Sequence, residues 1–287
     1  MSQPRISVYA GSADGNAVPT RIIQGEKTLQ ARTSHYIAID TVRDELIAPN
    51  PFAQAILFFR GGANGNEPPL RVIQGPKTLL SSPDNVAVDA THKEIYVAQF
   101  TNDAILVFSN TARGDVAPLR ILRGPKTLLD RPIRVEVDPI NNVMAVVNDH
   151  QILIFDRTAE GDAAPKWILS GPKTGVGTSI GTRDVKLYPQ GKKIIAGGLI
   201  RETGPGATAE ESAPRNAGFG YRGQRFIGAW NYGDTGDVAP VVALNNTPIS
   251  KIPGSRLAIN PAAQELIVGG DGVVFIYKLP EMFAPAK

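Results

Sequence analysis

Six short apolar runs recur along the chain: ISVY (6–9), ILFF (56–59), ILVF (105–108), ILIF (152–155), FIGAW (226–230) and VVFIY (273–277). Their starts are separated by 50, 49, 47, 74 and 47 residues. A near-constant period of this size marks a chain built from repeated supersecondary units, and it restricts the fold more than any composition figure does. A second signal keeps the same period. The tetrapeptide GPKT stands at 75–78, 124–127 and 171–174, and GEKT at 25–28.

Each period carries four strand-like segments. In the second they are RVIQ (71–74), NVAVD (85–89), EIYVA (94–98) and ILVF (105–108). Turn signals such as ANGN and ARGD separate them, and helical periodicity is absent. Four short antiparallel strands per unit, repeated around an axis, predict an all-β fold, a β-propeller of four-stranded antiparallel blades. The count predicts five blades in a single domain over 1–287. The alternative is a sixth, degenerate blade hidden in the insertion at 201–225. ISVY is left over as an extra outer-type strand at the N-terminus, adding a fifth strand at the seam if there is no sixth blade.

The units resemble the NHL-like bacterial β-propellers. The resemblance lies in the outer strand, the G-N/D-x-x-P turn, R-x-I, G-P-x-T, and the P-x-x-[IV]-A-[IV]-D strand followed by IYVA. Its clearest copy is residues 63–108, and it weakens after residue 175. It implies the fold and leaves activity open, since such propellers include binding scaffolds, lyases and lactonases.

Composition narrows the chemistry. The 287 residues include no cysteine, which excludes disulfides, thiolate nucleophiles and cysteine-based metal sites. The net charge of +3 is far from that of a dedicated nucleic-acid binder. No apolar run reaches membrane-span length. The opening MSQPRISVYA lacks a signal-peptide pattern, so the expected compartment is the cytoplasm. The alternative is the periplasm or secretion, with a signal removed. The oligomeric state stays open.

The repeats also act as an internal alignment. Asn16, Asn66, Asp115, Asp162 and Asp237 each follow a glycine and precede a proline three residues on, and are read as turn caps. Asp40, Asp89 and Asp138 are read the same way. If R-x-I is the innermost strand, it ends in the polar column Gln24, Gln74, Arg123, Ser170 and Asn245, at one channel mouth. The loop lysines Lys27, Lys77, Lys126 and Lys173 then collar that mouth. Variable residues at the loop ends, Arg134, Arg183 and Asp184 among them, join Arg123 as candidate ligand-binding positions. The insertion at 201–225 falls on the same face as a mobile cover.

The favoured function is a non-enzymatic scaffold binding an anionic small molecule or an acidic protein surface at this mouth. The bland alternative for the lysines is solvated turns copied with their blades. A lactonase-like hydrolase or lyase is the rival, with His35 and Asp84 as its acid–base candidates. A structural subunit of a larger assembly is the third reading. No metal or cofactor is predicted: the three histidines have no ligand spacing, and no phosphate loop occurs.

Overall fold

A computed structural model describes residues 4–31, 36–148, 150–176, 179–200, 224–244, 256–270 and 273–285. The strands are β1 (Arg5–Val8), β2 (Arg21–Gln24), β3 (Ala38–Asp40), β4 (Glu45–Asn50), β5 (Ala55–Arg60), β6 (Arg71–Gln74), β7 (Pro83–Asp89), β8 (Glu94–Gln99), β9 (Ala104–Ser109), β10 (Arg120–Leu122), β11 (Arg134–Asp138), β12 (Val143–Val147), β13 (Ile152–Asp156), β14 (Trp167–Leu169), β15 (Ser179–Tyr188), β16 (Lys193–Ile200), β17 (Gln224–Asn231), β18 (Val242–Ala243), β19 (Arg256–Asn260), β20 (Glu265–Gly270) and β21 (Val273–Lys278). Short 3-10 turns are the only helical elements among the described residues.

The strands form sheets in chain order: β3–β6, β7–β10, β11–β14, β15–β18 and β19–β21, with β1 and β2 paired to each other. The fifth sheet shows three strands, and residues 245–255 before it lie outside the described set. By compactness the chain divides into two units, Met1–Val146 with Phe155–Pro165, and Val147–Ile154 with Lys166–Lys287.

Strand phase differs from the sequence expectation. RVIQ (β6) does not open a blade; it closes one, pairing antiparallel with ILFF (β5) through Ile56↔Ile73. RIIQ (β2) pairs in the same way with β1, Ile6↔Ile23. The N-terminal pair therefore reproduces the outer half of a blade, with ISVY in the position of a third strand. A period has no origin, so repetition alone does not say which strand is first. Packing does. In the first unit β3 and β11 both lie against β7, which makes the VAVD-type strand the inner one. The R-x-I strand is the outer edge, so the column Gln24, Gln74 and Arg123 lies at the rim of its sheets and not on the innermost strand.

The middle strands are buried along their whole length, and alternation assigns their two faces. Leu46, Ala48, Leu57 and Phe59 pack on Ile23 of β2. Ile47, Ile56 and Phe58 point the other way, onto Val86, Ile95, Val97 and Leu106 of the next sheet. In the second unit Ile195, Ile227 and Ala229 meet Leu257, Leu266 and Val268 similarly.

Outer edges carry unpaired backbone groups, a known liability. Here the loop of the following period covers them. Gly114 N–H donates to Val72 O (2.7 Å) and Gly114 O accepts from Gln74 N–H (3.1 Å). Gly65 does the same for β2, Gly161 for β10 and Gly236 for β14.

Charged side chains stitch the opposite ends. Glu94, at the start of β8, receives Arg120 through two bonds (2.6 and 2.8 Å), Arg157 (2.8 Å) and the Tyr96 hydroxyl (2.7 Å). Asp89, fully buried, takes Arg157 (3.3 Å) and His92 Nδ1 (2.8 Å). Asp89 Oδ1 also accepts His92 N–H, Asp40 Oδ1 accepts two turn N–H groups, and Asp138 Oδ1 accepts those of Ile140 and Asn141. Those three are the turn caps expected.

Candidate functional site

Each letter of GPKT can now be assigned. Gly75 sits at φ +132°, where only glycine is comfortable, and a Cβ there would lie 2.5 Å from the Asp115 carboxylate. Pro76 opens a 3-10 turn with no N–H to waste. Thr78 is buried; its hydroxyl donates to Gly75 O (2.6 Å) and accepts Leu80 N–H (3.2 Å). Lys77 contributes its backbone N–H, which Asp115 Oδ1 accepts at 2.7 Å. Asn66 holds Lys27 N–H (2.8 Å), Asp162 holds Lys126 N–H (2.6 Å) and Asp237 holds Lys173 N–H (2.7 Å). The G-N/D-x-x-P residues therefore do more than cap their own loops. They clamp the GPKT turn of the preceding period.

The one part of the motif without structural use is the lysine side chain. Lys27, Lys77 and Lys126 in the first unit, and Lys173 in the second, are exposed and make no ion pair or side-chain hydrogen bond among the described residues. The remaining sequence candidates fall in different settings. Arg123 is exposed at the end of β10. Arg134 is buried, with its guanidinium 4.2 Å from the centre of the Tyr36 ring. Asp184 is buried and accepts Leu257 N–H at 2.7 Å, tying β15 to β19. Arg183 lies in β15. Asp84 is half-buried in β7 at a register shift. His35 and the insertion residues 201–223 lie outside the described residues, whereas 224 and 225 belong to β17.

Within each unit, strand direction puts the GPKT turns and the connections between second and third strands at the same ends of the sheets. At those ends, in the first unit, is a cleft of about 320 Å³. Its walls include Leu79, Leu106 and Ile121, with Gln99, Asn102 and Arg123 as polar lining. Gln99 is fully buried. Its Oε1 accepts Ser81 N–H (2.8 Å), while its Nε2 has no acceptor among the described residues. The sequence reading missed Gln99, because burial is not visible in one residue letter. Comparison along its own repeat column, Asn50, Gln99 and Asn148, would have marked it as the longer amide.

Searches against protein-family models and against curated proteins found no match. Solved structures do match. The β-propeller domain of Myceliophteria thermophila Cps50 (Swd1) aligns with a TM-score of 0.57 at 13% identity, over 90% of this chain and 69% of that one. Kuenenia stuttgartiensis hydrazine synthase aligns at 0.53 and 13%, over 84% of this chain; the match spans 56% of that chain's length. The fold is a five-bladed β-propeller. At this identity the likeness concerns architecture alone.

Among the described residues, no three His, Cys, Asp or Glu side chains group as metal ligands. No described helix is long and apolar enough to cross a membrane.

Proposed function

We propose that this propeller is a binding scaffold whose working face carries the GPKT turns, and that its partner is anionic. The carrying observation is the division of labour within the motif. Glycine, proline, threonine and the lysine backbone are all committed to the turn, and the ammonium groups are not. Within the first unit the like charges of Lys27, Lys77 and Lys126, held on rigid turns, repel one another, and an acidic partner relieves that cost. In the second unit the 201–223 insertion joins the second and third strands of its sheet, at the end where the 171–174 turn enters, and we read it as a cover over that turn. The repeat motif also supports kinship with NHL-like propellers.

The test compares two variants of equal charge. One changes Lys27, Lys77, Lys126 and Lys173 to Gln. The other changes the exposed Lys93, Arg113, Lys192 and Lys278 to Gln. Titrated with a poly-glutamate peptide at low salt, the first is expected to bind about tenfold more weakly than wild type, since exposed pairs contribute roughly 0.2–1 kcal/mol each. The second is expected to stay near wild type, and raised salt should erase the difference. Equal losses in both variants would reduce the effect to net charge and remove the lysine turns from the function.

A further inference from the structure

The blades provide internal controls for one another, and the second blade departs from the first at two positions that line one cleft. In the first blade the amide equivalent to Gln99 is Asn50, and both ends of it are used: Nδ2 donates to Leu29 O (2.8 Å) and Oδ1 accepts Ala53 N–H (3.0 Å). Gln99 is one methylene longer, and its Nε2 is left without an acceptor among the described residues. At the end of the outer strand, Gln74 donates to Ala53 O (2.8 Å) and Ser170 donates to His150 O (3.2 Å), each tying the strand to a turn of its own sheet. The second blade has Arg123 there, and its guanidinium makes no such bond among the described residues. Two donors that the first blade commits to structure are therefore without a partner among the described residues in the second, and both line the cleft with Leu106 and Ile121.

A buried N–H without a partner is costly, so a bound acceptor oxygen at that place is favourable. A guanidinium at the rim selects a carboxylate geometry. Apolar walls favour a short hydrocarbon body. The volume lies at the low end for small-molecule sites. We propose that this cleft binds a small aliphatic carboxylate, with Arg123 on the carboxylate and Gln99 Nε2 donating to a ligand oxygen. This rests on the reading of the GPKT face as the binding face and narrows it to a subsite that no loop lysine lines.

The probe is isovalerate, titrated into the full ¹⁵N-labelled chain, with isovaleramide and inorganic phosphate as comparisons. The Gln99 side-chain amide signals, identified by their loss in Gln99→Glu, report the contact directly. Isovalerate is expected to shift them saturably, with a dissociation constant on the order of 1 mM. Isovaleramide should bind at least about tenfold more weakly and phosphate should leave the signals in place, because one guanidinium and one amide do not satisfy its oxygens. Arg123→Gln, an exposed change, should weaken isovalerate about tenfold with the fold intact. The four-lysine variant should bind it as wild type does, so a failure of the lysine reading is read separately from a failure here. Unshifted Gln99 signals, equal binding of the amide, or an unaffected Arg123→Gln variant would each overturn the proposal.

Discussion

Replacing Glu94 with Gln is expected to lower the stability of the chain by about 3–5 kcal/mol, the range for removing one side of a buried ion pair. Glu94 takes four hydrogen bonds from two arginines and a tyrosine, and the Arg157 side chain is largely buried. Without the carboxylate, two guanidinium groups are left facing each other. Urea titration of the variant checks the loss. A deficit below about 1 kcal/mol would place the cluster with exposed pairs instead. Adding Arg120→Met should recover part of the loss, because it removes one of the stranded charges.

Acid performs the same operation on the wild type. The hydrogen bonds from Arg120 hold the Glu94 carboxyl down at about 2, against the opposing effect of burial. A depressed folded-state value means that the stabilisation is complete above the ordinary carboxylate range and is lost as pH falls from about 4.5 toward 2. The midpoint of wild-type unfolding should fall across that window, and the Glu94→Gln curve should be flatter there. Tyr96, its phenol pushed up by burial and by Glu94, stays protonated throughout.

Gly75→Ala is expected to cost a similar amount by a different route. The backbone at φ +132° is a glycine-only region, and adopting it with a side chain costs roughly 1–3 kcal/mol. The added methyl would also press on Asp115 and pull it from Lys77 N–H, adding about 1–2 kcal/mol for a lost hydrogen bond to a carboxylate. Gly114→Ala is the comparison. It has positive φ but nothing within 4 Å of the added methyl, so it should show the backbone cost alone. Asp115→Ala in the Gly75→Ala background should relieve the clash but not the dihedral strain. Equal costs for Gly75→Ala and Gly114→Ala, measured by thermal unfolding, would remove the contact from the account.

These effects show which parts of the molecule could be read from letters. The blades were legible because alternating apolar strands at a fixed period leave few architectures. The turn carboxylates Asp40, Asp89 and Asp138 were legible because a short side chain before a turn has one local use. The phase of the repeat was not. RVIQ, followed by a tight GPK turn, looks like the start of a hairpin, but that turn hands the chain to the next sheet. The long link ahead of RVIQ looks like a crossover, but it closes a pair within one sheet while covering a neighbour's edge. That error put Gln24, Gln74 and Arg123 on the inner strand. The exposure of the loop lysines was legible because a charged residue in a tight turn needs no three-dimensional knowledge to place in solvent. Gln99 was not, because the difference between a bonded and an unbonded buried amide is a matter of about one methylene.

Covering each outer edge with the next period's loop also bears on how such a chain can change length. Inserting or deleting one whole period rebuilds every glycine bridge and every carboxylate clamp at the new junction. A partial insertion in the loop before an R-x-I strand would pull a glycine away from the edge it covers. The connection between second and third strands supplies no glycine bridge and no carboxylate clamp of a GPKT turn in the described blades, so extra residues there leave those bridges and clamps in place. The longest departure from the period, residues 201–223 between β16 and β17, falls in that connection. The architecture thus leaves one kind of loop free to diverge while the rest of the repeat keeps its length.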